Sequence, residues 1–221
     1  QDMHTEDPFQ PAEPCPIVQR LPQHFAHTHN ESLSADAAVM QETMAAIADE
    51  LNNAGDKKAL GFYLPHLRTL AESADGSPQG GRLFNALGRY FDSISDPATA
   101  LVSFEHALEI EEKVNGSEHP SLPRFLSNVG RMHKALGDLQ SARAAFERAL
   151  AINEKVSGSE DPNIAEAASN LGQVYKSLGD LKGAHAAFER ALNINKKIYG
   201  VNHIAVAREI NGVPATFEVV T

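Results

Sequence analysis

The 221-residue chain contains no tryptophan and a single cysteine, Cys15. One cysteine excludes an internal disulfide, so a small disulfide-stapled fold is ruled out and the usage fits a reducing compartment. Nowhere do apolar residues run for the roughly 18–20 positions a helix needs to cross a bilayer. Basic residues are few against acidic ones, 19 Lys and Arg to 29 Asp and Glu, giving a formal net charge of −10. The long-range field of such a chain disfavours nucleic acid and anionic membrane as partners. The sequence has no H-E-x-x-H, no G-x-S-x-G, no G-x-x-x-x-G-K-[ST] and no Cys–His nucleophile arrangement. We therefore expect no catalytic residues, no cofactor and no enzyme activity in this chain. It begins at Gln1, as a fragment or processed product would, and shows no basic-then-apolar leader. A cytoplasmic location is the expectation.

What is present is repetition. Residues 137–150 read GDLQSARAAFERAL and residues 179–192 read GDLKGAHAAFERAL, 42 positions apart. The same offset links Phe104, Phe146 and Phe188; Gly88, Gly130 and Gly172; Asp96, Asp138 and Asp180; Ala100, Ala142 and Ala184; and Ala107, Ala149 and Ala191. The linkers follow it too, as GSEHP at 116–120, GSEDP at 158–162 and GVNHI at 200–204. A fixed period of this length marks stacked supersecondary units. The units run 78–119, 120–161 and 162–203, with a half unit at 204–213 and a tail at 214–221.

Each unit reads as two helices. In the third, Ile164, Ala168, Leu171 and Tyr175 recur at helical spacing, Gly179 ends the helix, and Asp180 is placed to cap the next. The second helix carries Ala184, Ala187, Phe188, Ala191, Leu192 and Ile194 on one face and stops at Gly200. Small residues allow close helix approach and the Phe fills the space between layers. One hairpin cannot bury its own apolar stripe, so the units must stack. Asp96, Asp138 and Asp180 thus read as caps in one repeated slot, and His119, Asp161 and His203 as linker positions.

The set Ala168, Leu171, Gly172, Tyr175, Ala184, Phe188 and Ala191 resembles the tetratricopeptide repeat. At 42 residues, with a longer second helix and a G-x-x-H/D-P linker, the unit is similar to the subclass in kinesin light chains and in the C-terminal arrays of bacterial and fungal STAND/NB-ARC-type signalling ATPases. The resemblance covers about residues 78–213. It implies an all-α, right-handed superhelical solenoid of antiparallel helix hairpins that binds protein partners. The chain departs from the pattern at Phe91 and His133, where Tyr is usual, at Ile204 in place of the linker Pro, and at Pro214, which ends the half unit.

Residues 1–34 are rich in Pro and His and read as a loosely ordered arm. His24, His27 and His29, with Cys15, have ligand chemistry for zinc, but a polar terminal segment is the preferred reading and no metal site is expected. Residues 35–75 read as a helical pair capping the array: one helix from Ala35 to about 53–55, a second over about Lys57–Ser73 that Pro65 kinks or starts. GSPQGG at 76–81 reads as the joint before the first repeat. GFYLPHLRTLAESA resembles the helix preceding the repeats in STAND-type ATPases and favours that setting; a stand-alone adaptor resembling kinesin light chain, or a regulatory domain attached to an enzyme, are the alternatives.

By the resemblance, first helices line the concave surface. Its lining would be Arg82, Asn85, Ala86, Arg89 and Asp92; then Arg124, Ser127, Asn128, Arg131 and Lys134; then Glu166, Ser169, Asn170, Gln173 and Lys176; then Arg208 and Asn211. Seven of these are basic and two acidic, on a chain of net charge −10. A basic groove on an acidic body attracts anionic ligands, and Arg with Asn suits carboxylates and peptide backbone. The expected ligand is a protein or peptide segment carrying Asp and Glu. The Lys/Asn pattern of carboxylate-clamp repeats that hold chaperone C-termini is not reproduced.

Overall fold

In the computed structural model, residues 33–74, 76–157 and 161–200 are described, and the fold below is that of these residues. They form eight α-helices and no strand. In chain order these are α1 (Leu33–Ala54), α2 (Lys57–Ser73), α3 (Pro78–Ser93), α4 (Pro97–Asn115), α5 (Leu122–Ala135), α6 (Leu139–Ser157), α7 (Pro162–Ser177) and α8 (Leu181–Tyr199).

The hairpins α3–α4, α5–α6 and α7–α8 are each tightly packed within themselves, and the second helix of one packs on the first helix of the next. The result is an all-α, tetratricopeptide-type superhelical stack. Its core is built from the repeated slots read in the sequence. Phe104, Phe146 and Phe188 are buried, and each presses on the glycine 16 residues earlier. A Cβ on Gly88, Gly130 or Gly172 would stand 2.6, 2.9 or 2.9 Å from the Phe ring, closer than packed carbons approach. Ala100, Ala142 and Ala184 are fully buried where the paired helices meet.

The turns within hairpins follow from local chemistry. The Asp96 and Asp138 carboxylates accept the backbone N–H groups of Thr99 and Ser141, both at 3.1 Å. Asp180 accepts that of Gly183 at 2.9 Å. These bonds satisfy donors that every helix start leaves open. The residue before each cap is left-handed: Gly137 has φ 84° and Gly179 φ 81°. In the first hairpin Ser95 holds that conformation at φ 63°, a strained choice for a residue with a Cβ.

Upstream, α2 begins at Lys57, capped by Asp56, and runs through Pro65 without breaking. Pro65 therefore does not start the helix: Leu60, Tyr63, Leu67 and Ala71 bury one continuous face across it. The PQGG of the 76–81 stretch is not a joint but the first turn of α3, with Ser77 as its cap. Gly80 is needed there because a Cβ would collide with the Ala74 carbonyl. Helix α1 packs more on α3 than on α2, and this places its polar side chains against the first helix of the repeats.

Candidate functional site

First-helix faces line two adjoining hollows. One, of about 520 Å³, lies between α1, α3 and α5, with Asp49, Asn85, Arg89, Asp92 and Phe104 in its wall. The other, of about 470 Å³, lies between α5 and α7, with Pro123, Ser127, Asn153, Asn163 and Glu166 in its wall. Arg124, Asn128 and Arg131 border both. These three α5 residues face one direction because they are spaced four and three apart on a helix.

Most cations of the first helices already have partners. Arg82 is ion-paired with Glu42 of α1 and has Asp49 at 3.8 Å. Arg89 meets Asp49 at 3.3 Å and donates to Asn53 Oδ1 at 2.6 Å. One unit on, Arg131 is ion-paired with Asp92 of α3 and donates to Asn128 Oδ1 at 3.3 Å. Asn128 in turn donates to Asn85 Oδ1 at 3.3 Å. Lys134 donates to Gln173 Oε1 at 2.6 Å, and its pKa lies below the usual lysine value because it is partly desolvated beside the Arg131 charge.

The remaining members of the expected lining divide by burial. Asn85 is 7% and Ser169 3% exposed, so both serve helix packing more than a ligand surface. Ser127, Asn170 and Gln173 are half-buried, and Arg124 and Lys176 are exposed. Among the described residues, neither Arg124 nor Lys176 has a carboxylate partner. Arg124 lies 4.9 Å from the centroid of its neighbour Phe125. Arg208 and Asn211, and the His24, His27, His29 and Cys15 group, lie outside the described residues. Among the described residues no cluster of His, Cys, Asp and Glu is placed to hold a metal ion, and no helix is long and apolar enough to cross a membrane.

Glu42, Asp49, Asn153 and Asn163 belong to this surface but not to the set read from the sequence. Glu42 and Asp49 are seven apart, as are Arg82 and Arg89, so matched spacing on α1 and α3 was the available signal. Asn153 belongs to a second helix, outside the slots the repeat register points to. Counting Glu42 and Asp49, the described lining carries six basic and four acidic residues. The excess of positive charge concentrates on α5, at Arg124, Arg131 and Lys134, while on α7 Glu166 offsets Lys176.

A tetratricopeptide-repeat family model matches residues 96–155 and 121–197. The sequence has no significant match among curated proteins. Solved structures share the fold. BtubC (BKLC) of P. vanneervenii superposes with a TM-score of 0.69 at 19% identity, over 89% of this chain and 77% of that one. A kinesin-light-chain-type protein of Podosopora anserina with nearly identical TPR-like repeats gives 0.65 at 20% identity, over 78% and 82%. MamA gives 0.54 at 18%, over 78% and 82%. Stacks of such hairpins present extended surfaces that hold protein partners. The repeat register, the Gly–Phe contacts that recur with it and the family match agree: residues 96–197 are tetratricopeptide repeats with a 42-residue period, and the stack they build is an interaction scaffold similar in fold to a kinesin-light-chain-type protein.

Proposed function

We propose that the scaffold binds an acidic peptide or partner segment along its first-helix surface, seated mainly over α5 and α7 and not catalysed upon. One observation carries this reading: Arg124, exposed and without a carboxylate partner among the described residues, stands where the two hollows meet. A guanidinium there offers a bidentate site for a carboxylate. Asn128 beside it, with Asn170 and Gln173 further along α7, supplies the amide donors and acceptors that a peptide backbone needs. Lys176 extends the positive surface along α7 and Lys134 along α5. Arg82 and Arg89 belong to the same surface, but Glu42 and Asp49 occupy them in cis, so a ligand gains little there without displacing α1.

The setting we propose is the cytoplasmic sensor or scaffold part of a larger STAND-like signalling protein. Support comes from GFYLPHLRTLAESA, which forms most of α2 immediately before the repeats. The likeness to the Podosopora anserina protein supports the second setting, a stand-alone adaptor. A phosphate-loop ATPase domain encoded upstream in the same reading frame decides for the first; its absence from the full gene decides for the second.

The groove reading is tested with Arg124→Glu and fluorescently labelled Asp- and Glu-rich peptides. Reversing this charge should weaken binding by about tenfold or more while leaving helicity unchanged. Undiminished binding of every acidic peptide would place the ligand elsewhere.

A further inference from the structure

The hollow between α5 and α7 has a polar side chain in its wall that no group of the described residues satisfies. Asn153 of α6 is 8% exposed, borders this hollow, and makes no side-chain hydrogen bond among the described residues. A buried carboxamide left unpaired has lost its hydration with nothing in return, so a group retained in that state calls for a partner. The equivalent slot one unit earlier shows what satisfaction looks like. There Glu111 accepts a hydrogen bond from Ser121 Oγ and has His119 Nδ1 at 3.9 Å, so the chain closes that slot itself. In the second unit the counterparts of His119 and Ser121 are Asp161 and Asn163. Asp161 spends its carboxylate on the Asn163 backbone N–H at 2.7 Å. Neither side chain reaches Asn153.

We infer that this hollow is a side-chain pocket for a carboxamide, a Gln or Asn of the bound segment. The inference rests on the acidic-segment reading above and names what that segment carries besides its carboxylates. The chemistry selects the group. An Asn side chain has donors and an acceptor, so a carboxylate would satisfy only its N–H groups and an ammonium only its oxygen. A carboxamide satisfies both at once. At about 470 Å³ the hollow has room for a long side chain and part of its backbone. Arg124 and Glu166 at its border place one charge of each sign beside the amide. Arg124 then takes an adjacent Asp or Glu of the ligand, and Glu166 disfavours a carboxylate entering the pocket itself.

The test uses the full chain and two series of ten-residue peptides of alternating Asp and Ala. In one series a Gln replaces each position in turn; in the other a Met, of similar length and without the amide, does so. In one register the Gln peptide should bind about tenfold tighter than its Met partner, because a site built for an amide is left unpaired by its apolar analogue. Asn153→Leu should erase that difference and leave the Met series as it was; Asn153→Ser gives the same reading should Leu lower the helicity. Equal binding of both series to the unaltered protein overturns the pocket and leaves the acidic groove standing. Absence of binding by either series overturns both. A Gln preference that survives in both Asn153 variants places the amide elsewhere and overturns the assignment.

Discussion

Gly130 on α5 and Phe146 on α6 interlock: the ring lies where a Cβ on the glycine would come within 2.9 Å of its Cζ. Phe146 is fully buried, and the same pair recurs as Gly88–Phe104 and Gly172–Phe188. Because each hairpin leans on its neighbours, this contact joins both helices of a unit and transmits to the stack. Phe146→Ala should cost about 3–5 kcal/mol, since it empties a closed slot that the helices cannot collapse to fill. Chemical denaturation followed by circular dichroism measures it. A loss below about 1 kcal/mol would mean the slot relaxes or the packing differs.

The reciprocal change tests the same contact from the other side. Gly130→Ala improves helix propensity by about 1 kcal/mol, yet the new methyl meets the face of a buried aromatic ring that has nowhere to move. Net destabilisation is expected, and it should vanish in the double variant with Phe146→Leu. A stabilised single variant would show that α5 and α6 have slack between them.

Gly130 and Phe146 were legible in the sequence because the core repeats: the slots that must hold a small residue or a ring are the same in each hairpin. The caps were legible for the same reason, Asp138 and Asp180 each preceding an amide three residues on. The surface was not, because what decides it is pairing between units. Arg82 and Arg89 look like groove cations until Glu42 and Asp49 of the non-repeating α1 are laid beside them. Ser169 has a groove position by register, but the approach of neighbouring helices leaves it 3% exposed. Asn153 was missed altogether, since a second-helix residue enters the surface only where adjacent first helices part.

Acid should loosen the turns within hairpins. Hydrogen bonds from Thr99 hold Asp96, and those from Ser141 hold Asp138, below the ordinary aspartate range. With the folded pKa depressed, the stabilisation is present above the unfolded value near 4 and is lost as pH falls through the folded one. Melting temperature should therefore drop below about pH 4. Asp138→Ala should lower it at neutral pH and flatten part of the acid decline; an unchanged acid profile would mean this cap does not contribute.

At the alkaline end the responding group is Tyr175. Partial desolvation, together with its hydrogen bond to Glu147 Oε1 at 3.1 Å, raises its pKa above the ordinary phenol value. A raised folded pKa means the stabilisation is complete below the unfolded value near 10 and is lost as pH rises through the folded one. Ultraviolet titration should show a late-ionising phenol. Tyr175→Phe should remove that late phenol, and Glu147→Gln should advance it. If the late component persists in Tyr175→Phe, another tyrosine is responsible.

Asp92 and Arg131 give the reading of the groove its most discriminating test. Their pair is more than one-third exposed on both sides, so it adds little to folding. It does compete with an acidic ligand for the guanidinium. Asp92→Asn keeps the side-chain shape, removes the competitor and should tighten acidic peptides by a few-fold, with a steeper loss on adding salt as one more cation engages. The same logic turns α1 into a ruler. Asp49→Asn frees Arg89, and Glu42→Gln frees Arg82, so each tightens binding only when the ligand extends that far. Tightening by Asp92→Asn alone would confine the segment to α5 and α7; tightening by all three would run it the length of the first-helix surface. If Asp92→Asn leaves affinity and salt dependence unchanged while Arg124→Glu weakens binding, the ligand bypasses Arg131 and lies toward the α7 side of Arg124.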